Sequence, residues 1–303
     1  MHGPSARDDA HRRIIRRPTP GGAPKRSLPC REPGTTRRTA ARRAPRSSDH
    51  SATAQPVDSP APLVVEGATA ITQDRERNLI LRVLPPGEYE WLSPRLETVE
   101  VRPRDVLAEA DQPWRWVYFP ETMVASVLNT MTHGAVVEVG TIGREGMVGL
   151  AVLLDAEASP NRTIGQIAGT ARRLAAAAFA DGARERPEFQ RLLHRYTYAY
   201  LAQVSQTAAC NRLHDVERRC APWLLMTHDR VGEAPEFEIT HEFLAFMLGV
   251  RRAGVSDAMG GLQDDSIISY RRGRVRVLDR AALEAAACEC YGIVRRHFDR
   301  LLP

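Results

Sequence analysis

"LAFMLGVRRAGVSDAMGGLQ", residues 244–263, sets an apolar half-helix, a glycine, two arginines and a second apolar half-helix in a row. Thr240, four residues upstream, is suited to cap the first helix, because its side-chain oxygen can accept an orphan backbone N–H. Gly249 stands where a helix ends in a left-handed residue. Leu244, Ala245, Leu248, Val250, Val255, Ala258 and Leu262 supply the apolar positions of two crossing helices, with the small Ala245 at the close approach. This is the template of a helix-turn-helix, whose second helix lies in a DNA major groove. Arg251 and Arg252 oppose the macrodipole at the start of that helix, a small cost that needs a reason. Guanidinium forks that reach guanine edges and phosphates supply one.

Downstream, "SIISYRRGRVRVLD" (266–279) reads as a two-stranded wing turning at Gly273 and bearing Arg271, Arg272, Arg274 and Arg276. Beside a recognition helix, these arginines are expected to clamp phosphates. Asp279 is expected to cap one final helix running from Arg280 to the end of the chain.

Upstream, "PEFQRLLHRYTYAYLAQVSQTAACNRLHDV" (187–216) has helical periodicity. Phe189, Leu193, Tyr196, Tyr200, Val204, Thr207 and Asn211 form one stripe. Such a stripe predicts a dimer seam, with packing on the chain's own barrel as the alternative and both open on different faces. A following helix from Val216 contains Pro222, which should kink it or delay its start. Residues 95–180 read as short strands: "RLETVEV", "DVLAEA", "WVYFP", "VASVLN", "AVVEVGTI" and "TIGQIAGTARRL". Turn signals separate them, and the pattern suggests a small sandwich or barrel.

The N-terminus differs in kind. Residues 1–50 hold 13 Lys+Arg and 4 Asp+Glu, a net of +9; with the whole chain at +5, residues 51–303 sum to −4. The basic balance therefore belongs to the tail. Rich in Pro, Gly, Ser and Arg, it is expected to be disordered through about residue 72. An inert leader and an arm adding non-specific nucleic-acid affinity both remain open. No apolar run approaches a membrane span, so the expected localisation is cytoplasmic.

A barrel, a long helix and a winged helix-turn-helix, in that order, resemble the cyclic-AMP receptor protein/Fnr (Crp/Fnr) family of bacterial transcription regulators. The resemblance spans about residues 75–285 and is strongest in "LHDVERR" and in residues 239–278. It implies an α+β fold: a tail over 1–72, a cyclic-nucleotide-binding-like jelly-roll effector barrel over 73–186, a dimerisation helix and hinge over 187–234, and the winged helix-turn-helix over 235–303. It further implies a homodimer on palindromic double-stranded DNA that recruits or excludes RNA polymerase, with no membrane partner. Thr240 and Arg251 match phosphate-contact positions, and Arg252 matches the family's guanine-reading arginine. Ala253 and Asp257 stand where the best-known members carry other base readers, which implies a different operator. Ser256 completes the set expected at DNA. Gly254, Gly260 and Gly261 weaken the recognition helix, by about 1 kcal/mol each relative to Ala, so that it could firm up only on DNA.

For an effector, the family's Gly-Glu and Arg-Ser/Thr pairs point to Gly143, Glu145, Arg162 and Thr163. Here Arg144 falls where the glutamate is expected, and the intervening loop is long. A cyclic nucleotide, another small ligand and a barrel without one all stay open. An iron–sulfur sensor of the Fnr kind needs several thiolates, and only Cys30 precedes the barrel. Cys288 and Cys290, two apart on the final helix, would point about 200° apart, so no metal site is expected. Cys210 and Cys220 flank a helix break and are candidates for redox sensitivity. Walker, GxSxG, HExxH and dinucleotide motifs are absent from the sequence, so no catalytic residues are assigned. The rival to a DNA reader is a ligand-binding regulatory module whose helix-turn-helix contacts protein.

Overall fold

A computed structural model of the chain describes residues 63–64, 73, 76–232 and 236–301. The expected disorder of residues 1–72 falls outside these residues except at Leu63–Val64. That pair is a short strand, β1, antiparallel to Val99 and Glu100. Asn78 caps α1 (Leu79–Val83) by accepting from the N–H groups of Ile80 and Leu81, and Leu84 and Pro85 separate it from α2 (Pro86–Leu92).

Five strands form at the predicted runs, β5 extending one residue past its run: β2 (Glu97–Val101), β3 (Val106–Ala108), β4 (Trp116–Pro120), β5 (Val124–Thr130) and β6 (Val136–Ile142). A short helix, α3 (Leu150–Leu153), follows. The run "TIGQIAGTARRL" is two strands rather than one, β7 (Arg162–Ile167) and β8 (Gly169–Ala175), which belong to different sheets. The chain changes sheet where a Cβ on Gly169 would stand 2.5 Å from the Met123 nitrogen. The sheets run β1-β2-β8-β4 and β3-β7-β5-β6, all pairs antiparallel, and make a jelly-roll-like sandwich. Val99, Val101, Tyr118, Met123, Ala125 and Ile142 are buried together between them. Each such aliphatic side chain contributes roughly 1.5–3 kcal/mol of burial.

The alanine run after β8 forms α4 (Ala176–Glu185), and α5 (Pro187–Leu213) follows over 27 residues with proline in its first turn. The upper half of the predicted stripe, Phe189, Leu193, Tyr196 and Tyr200, packs against α1, α4 and β4 of the same chain. A different face is free: Tyr198 and Leu201 are 60% and 59% exposed, and Leu213 is exposed below them. Among the described residues, no helix is long and apolar enough to cross a membrane.

Asp215 caps α6 (Val216–Val231), which runs through Pro222 instead of starting after it. Proline cannot donate to the carbonyl four residues back. The Cys288 N–H donates to that carbonyl, of Arg218, at 3.3 Å. The C-terminal part consists of β9 (Phe237–Glu238), α7 (His241–Leu248), α8 (Arg252–Asp264), β10 (Ile268–Arg271), β11 (Arg274–Val277), α9 (Arg280–Ala286) and α10 (Cys290–Leu301). The expected single final helix is thus two. Its break at residues 287–289 has a cause: the Cys288 N–H bonds to α6 rather than within its own helix.

The C-terminal core of Trp223, Leu244, Val255, Leu262 and Val275 continues onto the outer face of the second sheet through Val124, Leu128, Ile164 and Ile167. A small polar cluster sits in that seam. The Ser126 hydroxyl lies 2.5 Å from Glu138 Oε2, 2.9 Å from Gln166 Oε1 and 3.4 Å from Met247 Sδ, and Trp223 Nε1 donates to Glu138 Oε1 at 3.1 Å. One serine proton cannot serve two acceptors. A protonated Glu138 would donate to Ser126 and leave the serine proton for Gln166. Burial accordingly raises the Glu138 carboxyl to about 7, even though the Ser126 and Trp223 bonds oppose the rise.

Candidate nucleic-acid interface

Thr240 accepts from the Phe243 N–H at 3.1 Å and starts α7, and its hydroxyl proton remains available to an outside acceptor. The helix ends at Gly249, which is left-handed at φ 63°, ψ 37°, while Val250 N–H returns to the Ala245 carbonyl at 3.0 Å. That turn delivers Arg251 as the N-cap residue of α8 and Arg252 as its first helical residue, both exposed. Neither forms an ion pair among the described residues. Val255, Ala258, Met259 and Leu262 face the core, leaving Arg252, Ala253 and Asp257 outward. The helix runs over 13 residues despite its glycines.

Ser256 differs from its neighbours. Its hydroxyl lies 3.0 Å from His241 Nδ1, and that ring stacks on Tyr270 with centroids 4.3 Å apart. Burial, and then the Arg252 charge, lower the pKa of His241, so a neutral imidazole joins α7, α8 and the wing.

The wing sheet runs β10-β11-β9. Arg272 and Gly273 have φ of 50° and 79°, the two positive values of a tight two-residue hairpin turn, so Arg271 and Arg272 project from its tip, exposed. Arg274 does not share their freedom. It bonds Glu236 at 3.1 Å and Glu238 at 2.7 Å, and Arg276 bonds Glu236 at 3.3 Å. Glu238 lies directly opposite Arg274 in the ladder, a pairing hidden in what the sequence presents as a turn-rich connector.

The four effector positions do not make one cradle. The Glu145 carboxylate is held by Arg230 Nε at 2.7 Å and accepts from the Gly143 N–H at 3.1 Å. Arg230 also donates to Thr141 and Gln203, tying the β6 end to α5 and α6. Glycine at 143 serves this approach, since a Cβ there would lie 2.4 Å from the Arg230 side chain. Arg162 instead pairs with Glu109 at 3.1 Å, and Thr163 is buried. Strand register sets Arg162 level with Leu128 and Glu138, at the far end of the strands from Ile142. These residues do not fit a cyclic nucleotide. A cavity of about 550 Å³ borders Arg144 and Glu145 from the other side, toward His228, Arg280, Tyr291 and Phe298.

The cysteines also depart from expectation. Cys220 is fully buried in the C-terminal core, and burial pushes its thiol up to about 12, which argues against a reactive role. Cys288 precedes α10 and Cys290 is its first residue, so the two do not share a helix. With Cys210 they form a buried group. No sequence signal marked it, because the break between α9 and α10 depends on a contact distant in the chain.

Residues 218–286 match the family model of the Crp-like helix-turn-helix domain. No curated protein sequence matches the chain. Among solved structures it is similar to FixK2 from Bradyrhizobium japonicum, with 16% identity and a TM-score of 0.56 over 64% of this chain and 98% of that one. It is also similar to a transcriptional regulator of the CRP family from Thermus thermophilus, with 19% identity and a TM-score of 0.51 over 62% and 95% of the two chains. The c-di-GMP-responsive global regulator CLP from Xanthomonas campestris gives 14% identity and a TM-score of 0.51 over 64% and 99%. Residues 218–286 thus form a Crp-like helix-turn-helix domain, carried on a chain with the fold of the Crp/Fnr regulators.

Proposed function

We propose that the chain is a sequence-specific DNA-binding transcription regulator that acts as a homodimer on a palindromic operator. The observation that carries this reading is the pair Arg251 and Arg252, exposed and without ion pairs among the described residues, at the start of a helix anchored from behind. In the groove, Arg252 reads a base edge, Asp257 lines the same outward face, and Arg251 and the Thr240 hydroxyl hold phosphates. Arg271 and Arg272 add phosphate contacts from the wing tip. Ser256 acts indirectly, by holding His241. Arg274 is committed to glutamates and contributes little.

The dimer seam is the free face of α5, with Tyr198 and Leu201 stepping on through Ser205 and Ala208 at three- and four-residue intervals. The domain boundaries at 73–186, 187–234 and 235–303 follow the change from sandwich to long helices to winged helix-turn-helix. An effector, if the protein takes one, enters by the Arg144–Glu145 side rather than by Arg162, and contact with RNA polymerase follows from the regulatory role. The reading as a protein-contact module is less favoured, because two unpaired outward arginines suit phosphate and base edges better than an apolar partner.

Selection of genomic fragments with the full chain tests the proposal. An inverted repeat with half-sites about one helical turn apart is expected. Arg252→Ala should then relax specificity at one base position, while Arg271→Ala should weaken all duplexes alike and lower the salt slope by about 1. No enrichment, or identical behaviour of the two variants, would overturn it.

A further inference from the structure

Cys210 lies near the end of α5, and His214 stands one turn on, at its C-cap. The break between α9 and α10 brings Cys288 and Cys290 against them. The three sulfurs and one imidazole nitrogen all lie within 4.8 Å of one another. Cys210 Sγ and Cys288 Sγ are 3.6 Å apart, and Cys290 Sγ and His214 Nδ1 are 3.5 Å apart. A tetrahedral ion with bonds of about 2.3 Å to sulfur and 2.0–2.1 Å to nitrogen sets edges of roughly 3.8 Å (S···S) and 3.5 Å (S···N). The cluster is already close to that shape. A polynuclear iron–sulfur group would hold its thiolates wider apart, on different irons.

The surroundings suit the same ion. Glu289 Oε2 holds His214 Nε2 at 3.4 Å, which leaves Nδ1 facing the sulfurs, the carboxylate–histidine support common at metal sites. Gln206 Nε2 donates to Cys290 Sγ at 3.1 Å. Three thiolates and a divalent cation sum to −1. The buried guanidinium of Arg219 lies close enough to feel the charges of Cys210 and Cys288, and its Nε has no hydrogen-bond partner among the described residues. A cavity of about 60 Å³ bordered by Gln206, Cys210 and Cys290 adjoins the group. A disulfide would use two sulfurs and leave a third thiol, the imidazole and its carboxylate unexplained.

We propose that Cys210, His214, Cys288 and Cys290 form a tetrahedral site for a borderline-soft divalent cation, Zn²⁺, which staples the α9–α10 break to the end of α5. On binding, the three thiols release their protons to solvent and no electron is transferred. The site closes on four protein ligands, the mark of a structural rather than a catalytic ion. It does not depend on the DNA-binding reading above.

The test uses the full chain purified from zinc-supplemented cells, with metal content by elemental mass spectrometry and Co²⁺ reconstitution by absorption. One zinc per chain is expected, with thiolate-to-Co²⁺ charge-transfer bands after exchange. Cys288→Ser and Cys290→Ser should each bind at least about tenfold more weakly, the scale of damage at a metal site, while Cys220→Ser should bind as the unaltered chain does. His214→Cys keeps four ligands and should keep the ion with stronger charge transfer, which decides the question should the serine variants fail to fold. No bound metal and no charge transfer would overturn the site. So would a multi-iron chromophore, retention of the ion by both serine variants, or a Cys210–Cys288 disulfide mapped in metal-free protein.

Discussion

The start of α8 and the wing strand β11 each present a pair of arginines, and by composition the two pairs are equivalent. Their surroundings separate them. Arg251 and Arg252 project from a helix N-terminus with no ion pair among the described residues, whereas Arg274 and Arg276 are held by Glu236 and Glu238. A count of arginines therefore overstates the charge a nucleic acid would meet. Exposed ion pairs are worth little to the fold, about 0–1 kcal/mol. Their larger effect here is to withhold charge from a partner.

The sharpest test of the free pair is Arg252→Ala. Its loss should cost about 1–3 kcal/mol of discrimination at one base, read by competition titration against operator variants. An unchanged base preference would place Arg252 with the phosphate contacts and erase the contrast with the wing.

Next in size is a charge withheld more completely, on Glu138. Its folded pKa is raised from 4.5 to about 7, so the fold favours the protonated acid. The stability this gives is full below the unfolded value and is lost as pH rises through about 7, at up to about 1.4 kcal/mol per pH unit in between. Urea midpoints of the full chain should fall between pH 5.5 and 8, and Glu138→Gln should flatten that dependence. Parallel pH profiles for the two proteins would show that the carboxyl is already ionised in the seam.

Removing the restraint on the wing is the complementary experiment. Glu236→Gln with Glu238→Gln frees two arginines and should steepen the salt dependence of binding by roughly 2 on the log–log scale, about 1 per added phosphate contact. Duplexes of every sequence should gain alike. The smallest change is expected from Arg274→Ala, with affinity and stability both close to those of the unaltered chain. A large loss of affinity there would mean that DNA draws Arg274 away from its glutamates.

What the sequence disclosed was local. Thr240 as a cap, Gly249 as a left-handed stop and the apolar spacing of α7 and α8 act within a few residues, so the helix-turn-helix could be read directly. The β10–β11 turn was legible for the same reason. The pairing of Glu238 with Arg274 was not, because two residues of strand inside a connector give no periodic signal. The family resemblance points to Gly143 as part of an effector pocket, yet this glycine makes room for Arg230, from a helix far along the chain. The stripe on α5 is helical, as its spacing predicts, and its upper half lies on the chain's own core; periodicity identifies an apolar face without saying what covers it.

Pro222 carries a consequence for how this sequence can vary. It leaves one α6 carbonyl unclaimed, and the backbone of Cys288 takes it up. Any donor-bearing residue at 222 would let α6 reclaim that carbonyl. Positions 222 and 287–289 are therefore expected to covary: homologues that have lost the proline should carry an unbroken final helix and should have lost the paired cysteines with it.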